Sequence, residues 1–192
     1  MKLASHNTMS YLKPKKWWMR PFHFIAKCQS KTIYEQYKLG IRMFDLRITY
    51  DKHNLPVFAH GSMIFKNSDV INILSQINKW GDCYVRLVLE INKTCKNIDT
   101  FTKFFNIDTE LWRKLYKNIN FFEGTRKYDW FIVNKELHKN NPLYIQKVSS
   151  MTGTILDDWW PRLYAMFNNK RNIDKHKNDD VWMFIDFVGK YQ

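Results

Sequence analysis

Two histidines, an Asp–Arg pair and two further acids are placed in this sequence so that they could do acid–base chemistry at a phosphate. His6 closes a short apolar segment, and Asp45 and Arg47 stand two apart in a later apolar run. His60 follows soon after, Glu90 ends Val85–Glu90, and Asp186 lies within Val181–Val188. An imidazole near its ordinary pKa takes or gives a proton at neutral pH. A planar guanidinium grips a phosphate and offsets charge developing on it.

The elements that must position these groups are short apolar runs alternating with helical patterns. Leu3–Ser5, Ile41–Ile48, Val57–His60, Tyr84–Ile91, Asn120–Phe122, Asp129–Asn134, Leu143–Ser149 and Val181–Val188 read as strands. Met43, Asp45 and Arg47 share one strand face. Helices are expected from Ser30 to Leu39 with Gly40 as its stop, and from an N-cap at Ser68 through Val70, Ile71, Leu74 and Ile77 to Trp80. Two more are expected, one from about Asp99 to Asn118 with a break near Asn106–Asp108, the other from Ile155 to about Asn168. The latter carries Leu156, Trp160, Leu163 and Phe167; the polar run Asn168–Asp180 reads as a solvated loop. Eight strand candidates with helices between most of them predict an α/β fold: a small, irregular (β/α)8 TIM-type barrel. The alternative, an open doubly wound sheet, lacks support from any glycine-rich phosphate loop. In a closed barrel the first and last strands are neighbours, so Asp186 can approach His6 and six polar groups converge on one rim.

The chain has 192 residues, 45% of them apolar and 17% aromatic, which suits a single domain over residues 1–192 and argues against disorder. Its net charge of +13 favours an anionic partner, while no helix-turn-helix, zinc finger or RNA-binding signature supports nucleic acid. Cys28, Cys83 and Cys95 form neither a C-x-x-C pair nor an even set, so reduced, buried thiols are expected. No leader pattern precedes the motif at residue 5, and no run is long enough for a membrane-spanning helix; a soluble monomer is the expectation. His23, His53, His138 and His176 lack comparable surroundings and read as surface residues.

Ser5-His6-Asn7-Thr8 resembles the Ser-His-Asn-Thr of eukaryotic phosphoinositide phospholipases C and the Thr-His-Asp of bacterial ones. Glu35 to Arg47 resembles the bacterial run Gln-Leu-x-x-Gly-x-Arg-x-Phe-Asp-Leu/Ile-Arg, and His60-Gly61 matches the second histidine and its glycine. Val85–Glu90 looks like the strand before an acidic metal ligand, and Ile185-Asp186-Phe187 like the strand carrying the acid that orients the first histidine. The whole resembles the phosphatidylinositol-specific phospholipase C, X-domain family, strongly from Lys2 to Glu90 and weakly from Asn92 to Asp180.

That resemblance implies roles. His6 would be the general base acting on an inositol 2-hydroxyl, His60 the general acid protonating the diacylglycerol oxygen, Asp186 the orienter of His6, and Arg47 the phosphate grip. Eukaryotic enzymes hold calcium with oxygen ligands at positions matching Asn7, Asp45, Arg47 and Glu90. Arg47 puts a cation where the metal belongs, so a metal-independent site is expected, with Asp45 and Glu90 bracing Arg47. Were calcium used, Asn7, Asp45 and Glu90 would be its ligands. Tyr144–Ser149 resembles loosely the bacterial strand that grips inositol, but Lys147 replaces its acid; Lys147 would meet an extra phosphate or another headgroup. Asn7, Glu90 and Lys147 complete the expected substrate contacts. Trp17-Trp18 after Lys13, Lys15 and Lys16, and Trp159-Trp160 before Arg162, suit a bilayer interface. The expected function is phosphodiester cleavage of a phosphatidylinositol-type lipid at an anionic membrane surface. Cleavage of another phosphodiester, and a silent membrane- or partner-binding barrel, are the alternatives.

Overall fold

Alternation of side chains along the strands gives this sheet one face packed against helices and one face that carries buried charge over a smaller apolar cluster. The computed structural model describes residues 2–67, 69–90, 98–125, 147–148, 160–178 and 182–190. Its strands are β1 (Lys2–Ser5), β2 (Met43–Tyr50), β3 (Pro56–His60), β4 (Met63–Ile64), β5 (Cys83–Leu89), β6 (Ile119–Thr125), β7 (Lys147–Val148) and β8 (Trp182–Ile185). Six of them run parallel in the order β6-β5-β2-β1-β8-β7. Phe44, Leu46 and Ile48 of β2, Val85, Leu87 and Leu89 of β5, and Met183 and Ile185 of β8 face the helices in one buried cluster. Ala4, Met43, Trp182 and Phe184 form a second cluster on the opposite face. Both faces of the central strands are therefore covered, as parallel sheets require.

The β3 segment departs from the expected parallel arrangement. It pairs antiparallel with β2, with Ile48 opposite Phe58, and β4 continues antiparallel to β3. The reason is the short link at residues 51–55, too short for a crossover. Its turn is closed by Asp51, whose Oδ1 accepts from the amides of His53 and Leu55. Among the described residues β6 and β7 do not pair with each other, so an α/β sheet is seen and its closure into a barrel is not. The expected strand Asp129–Asn134 lies outside the described residues.

Helices α1 (His23–Ala26) and α2 (Ile33–Lys38) follow a 3-10 turn at Trp17–Phe22. Thr32 and Glu35 form a reciprocal capping box on α2, and Gly40, at φ +87°, ends it with its amide bonded to Tyr37 O. Helix α3 (Val70–Trp80) is capped by Asp69 rather than Ser68, which lies outside the described residues. It buries Val70, Leu74 and Ile77, while Ile71 is exposed. Helix α4 (Ile98–Leu115) runs unbroken through Asn106–Asp108, because Phe105, Thr109 and Trp112 keep one stripe on the core across that point.

Helix α5 (Pro161–His176) overturns two expectations. Residues 168–176 are helical rather than a loop. The buried face is Pro161, Ala165 and Asn169, whereas Leu163 and Phe167 are exposed. Small residues let the helix lie close to β8, and Asn169 Nδ2 donates to Asp186 O at 2.7 Å. His176 is buried rather than a surface residue, and His23 is half-buried with its Nε2 at 2.9 Å from Ser10 O.

Truncating Leu87→Ala removes a fully buried side chain and should cost about 2–5 kcal/mol in denaturant unfolding. Ala165→Leu should cost about 1–3 kcal/mol by overpacking, and Phe167→Ser less than about 0.5 kcal/mol. Reversal of the last two would mean that α5 packs through its large apolar residues.

Candidate active site

Parallel register builds the site. Asp45 of β2 stands beside Arg86 of β5, and Ser5 of β1 beside Ile185 of β8, so that His6 and Asp186 leave adjacent strand ends together. The interior has an apolar floor of Ala4, Met43, Trp182 and Phe184 with Tyr84 against it. Above it lies a layer of charge. The Arg86 guanidinium stacks 5.0 Å from the Phe184 ring centre and places Nε 3.4 Å from Asp45 Oδ1. Asp45 Oδ2 takes Arg47 Nε at 3.1 Å and the Asn7 amide at 2.9 Å. Arg47 Nη1 lies 3.7 Å from Glu90 Oε2, and Glu90 Oε1 accepts the Gly61 amide at 2.7 Å.

The imidazole of His6 sits between an acid and a cation. Its Nδ1 is 2.7 Å from Asp186 Oδ1, and its Nε2 is 2.7 Å from Arg47 Nη2. A guanidinium nitrogen has no acceptor lone pair. Nε2 must therefore accept from Arg47, which leaves the proton on Nδ1, where it is donated to Asp186. The arrangement fixes the tautomer with a basic Nε2. Arg47 then lies where a phosphate held by its fork would also reach Nε2.

A buried amide frame holds the histidine loop. Gln29 Nε2 donates to His6 O and Ile185 O, both at 2.9 Å, and its Oε1 accepts the Val188 amide. Gln36 Nε2 donates to Thr8 O, and its Oε1 accepts from Ser5 Oγ. Asn7 has φ +43° and turns Nδ2 toward Cys28 Sγ, 4.0 Å away. His60 Nδ1 lies 3.0 Å from Ala26 O and donates to it, since a carbonyl only accepts.

Burial would raise the Asp45 carboxyl, but Arg86 and then Arg47 outweigh it, aided by His6 and the Asn7 amide, and hold it far below the carboxylate range. Burial opposes the Arg47 charge, yet Asp45 and Glu90 overcome it and raise that group. Burial lowers Arg86 despite Asp45 and Glu90. Burial, followed by the Arg47 charge, brings His60 down to about 4, against the support of Glu90 and Ala26 O. Burial and then the Asp186 charge push the Cys28 thiol well up.

The structure thus brings His6, Asp45, Arg47, Glu90 and Asp186 into direct contact, with His60 close enough to feel Arg47, Glu90 and His6. Asn7 meets Asp45 through its backbone. Lys147 is in β7, opposite Met183 of β8. Arg86, Gln29, Gln36 and Asn169 also support the site, and no motif marks them. Arg86 carried a signal, a lone cation in the apolar run Val85–Leu89, in phase with Glu90. Of the oxygen set Asn7, Asp45 and Glu90, the two carboxylates are engaged by Arg47 and Gly61, and Asn7 turns its Nδ2 to Cys28.

Exposed aromatic residues cluster over residues 17–24 and at Trp160. Trp17 is 76% exposed, and Trp18, Phe22 and Phe24 are also exposed. Phe24 meets the exposed Trp160, ring centres 5.7 Å apart, and Lys16 Nζ stands 5.4 Å over Trp18. Trp159 lies outside the described residues. No helix among the described residues is long and apolar enough to cross a membrane.

No protein-family model matches the sequence, and no similar sequence was found among curated proteins. Solved structures are similar in fold. Phosphatidylinositol-specific phospholipase C from Listeria monocytogenes is 19% identical with a TM-score of 0.60, covering 97% of this chain and 87% of that one. A variant of the Staphylococcus aureus enzyme is 15% identical with a TM-score of 0.64, covering 100% and 86%. A second S. aureus structure, described as concerning modulation of that enzyme's membrane binding, is 15% identical with a TM-score of 0.62, covering 98% and 86%.

His60 makes stability pH-dependent. In the unfolded chain it takes a proton near 6.5, in the folded protein near 4. Between those values the unfolded chain binds more protons, so stability falls as pH drops, by at most about 3 kcal/mol. Asp45, with its carboxyl depressed, adds a loss that begins as pH falls below about 4. Urea unfolding of wild type and His60→Gln from pH 7 to 4 measures this. The variant should lack most of the loss between 6.5 and 4; equal slopes would remove His60 as its source.

Proposed function

We propose that this chain is a phosphodiesterase of the phosphatidylinositol phospholipase C type, working by histidine acid–base catalysis in one (β/α)8 barrel over residues 1–192. The observation that carries it is the pair of contacts on His6: Arg47 at Nε2 and Asp186 at Nδ1. They leave a basic nitrogen beside a phosphate-binding fork, and the fold is similar to solved enzymes of that type.

Arg47 holds the phosphodiester. His6 Nε2 takes the proton from a headgroup hydroxyl adjacent to the phosphate, and that oxygen attacks phosphorus. A tethered nucleophile needs little beyond alignment and proton removal. Asp186 keeps the proton on Nδ1 and stabilises the imidazolium that forms. His60 protonates the departing diacylglycerol oxygen, and a cyclic phosphorylated headgroup is the other product. Neutral at pH 7 in the free protein, His60 gains basicity when a phosphate anion offsets Arg47. Lys147 in place of an acid favours a headgroup with added negative charge.

Metal independence is supported by Arg47, which occupies the space between Asp45 and Glu90 at 3.1 and 3.7 Å. A calcium ion there would face that guanidinium at close range. The exposed Trp17, Trp18, Phe22, Phe24 and Trp160, with Lys16, form the surface that meets an anionic bilayer, tryptophan at the headgroup level and lysine toward lipid charge.

Purified protein assayed on vesicles of phosphatidylinositol, its phosphorylated forms and other phospholipids, and on soluble glycerophosphodiesters, tests the reading. Turnover should persist in EDTA and fall by about 10²–10⁴ in His6→Ala and in His60→Ala. Activity abolished by EDTA and restored by calcium would refute metal independence. Activity on soluble diesters alone would select the other phosphodiester reading, and none on any substrate the silent barrel. Separately, Trp17→Ala/Trp18→Ala should weaken binding to anionic vesicles by roughly 10-fold or more, read by sedimentation. Unchanged sedimentation would remove this patch as the lipid contact.

A further inference from the structure

Cys28 has no part in the mechanism above, yet it lies against the pair that drives it. The Cys28 sulfur, a ring nitrogen of His6 and a carboxylate oxygen of Asp186 all lie within 4.8 Å of one another. All three residues are buried: Cys28 is 1% exposed, Asp186 fully enclosed, and His6 is 6% exposed. Asp186 Oδ1 serves His6, and the Cys28 thiol also hydrogen-bonds to Asp186, whose Oδ2 is buried with no nitrogen or oxygen donor among the described residues. Sulfur, imidazole and carboxylate together form the donor set of zinc-class ions.

We infer that Cys28, His6 and Asp186 form an inhibitory binding site for a thiophilic divalent cation of the zinc class. Charge favours it. Asp45, Glu90 and Asp186 against Arg47 and Arg86 leave the buried cluster at a net −1, and loss of the Cys28 proton makes it −2, which a divalent ion cancels. Size allows it. Ligands at about 2.0–2.3 Å in a tetrahedral shell stand about 3.3–3.7 Å apart, inside the 4.8 Å that bounds the three donor atoms, while the 2.7 Å pair of His6 Nδ1 and Asp186 Oδ1 opens to admit the ion.

The thiol proton leaves to solvent, and the thiolate binds the ion with an Asp186 oxygen. The ion takes the Nδ1 lone pair of neutral His6, so the ring proton moves to Nε2. His6 then has no basic nitrogen facing the phosphate, and Arg47 loses its acceptor there. The ion inhibits by switching the tautomer rather than by occupying the phosphate grip. That consequence rests on the proposed function; the binding itself does not.

The test uses the whole chain, reduced and cleared of metal with EDTA. Cobalt(II) serves as a spectroscopic stand-in for zinc, which has no colour of its own. Wild type should bind one equivalent with a sulfur-to-cobalt band in the near ultraviolet, displaced by zinc. Cys28→Ser should lose the band and weaken binding on the order of 100-fold. Cys83→Ser and Cys95→Ser should keep it. Micromolar zinc should abolish wild-type turnover reversibly, while Cys28→Ser, whatever its basal rate, should not respond. A band that persists in Cys28→Ser, or no band in wild type, overturns the site, and the second outcome needs no variant to fold. A band dependent on Cys28 in a protein without phosphodiesterase activity would uphold the site and refute the function.

Discussion

The Asp45 carboxylate held between two guanidinium groups is the constraint from which the rest of the site follows. It is wholly buried, so its charge survives only because Arg86 and Arg47 are each within 3.4 Å. Its Oδ2 also accepts the Asn7 amide, while its carbonyl accepts the Thr8 amide. One residue of β2 therefore fixes the turn after β1, and with it His6. Removing either arginine would leave an uncompensated charge, which is far more costly than never having built the pair.

The same constraint selects the chemistry. Because Asp45 and Glu90 hold Arg47, its fork is aimed at His6 Nε2 instead of lying along the sheet. An arginine donates and never accepts, so the histidine tautomer follows from the arginine's position. Asp45 and Glu90 both lie against the one guanidinium of Arg47. Glu90 also reaches Gly61 through its other oxygen, coupling the position of Arg47 to the backbone beside His60.

Elements with local signals were legible. The strand face Met43, Asp45 and Arg47 follows from a period of two, and Gly40 ends α2 as its backbone freedom allows. Elements whose fate depends on what they pack against were not. Leu163 and Phe167 look like a buried stripe, yet the surface offered by β8 accepts only a narrow helix face, so Ala165 and Asn169 lie inward. The β2–β3 link looks like part of a parallel series, but a five-residue span cannot carry the chain back to the other end of the sheet. His176 resembles a surface histidine in its polar run and is buried because α5 extends through that run.

Residue type and local spacing already hold the inventory of chemistry: two histidines, Asp45 with Arg47 in one phase, Glu90 at the end of one apolar run, Asp186 within another, and a strongly basic chain. Those follow from residue type and short-range periodicity, which need no knowledge of neighbours. Three features come from the packing of the strands: the nitrogen of His6 that carries the proton, the support of Asp45 by Arg86, and the place of Cys28 beside Asp186. Each of these is a contact between residues at least 40 positions apart in the chain, set by strand order and register. Neither quantity is written in any local pattern, because the same alternation of side chains is compatible with many pairings of the strands.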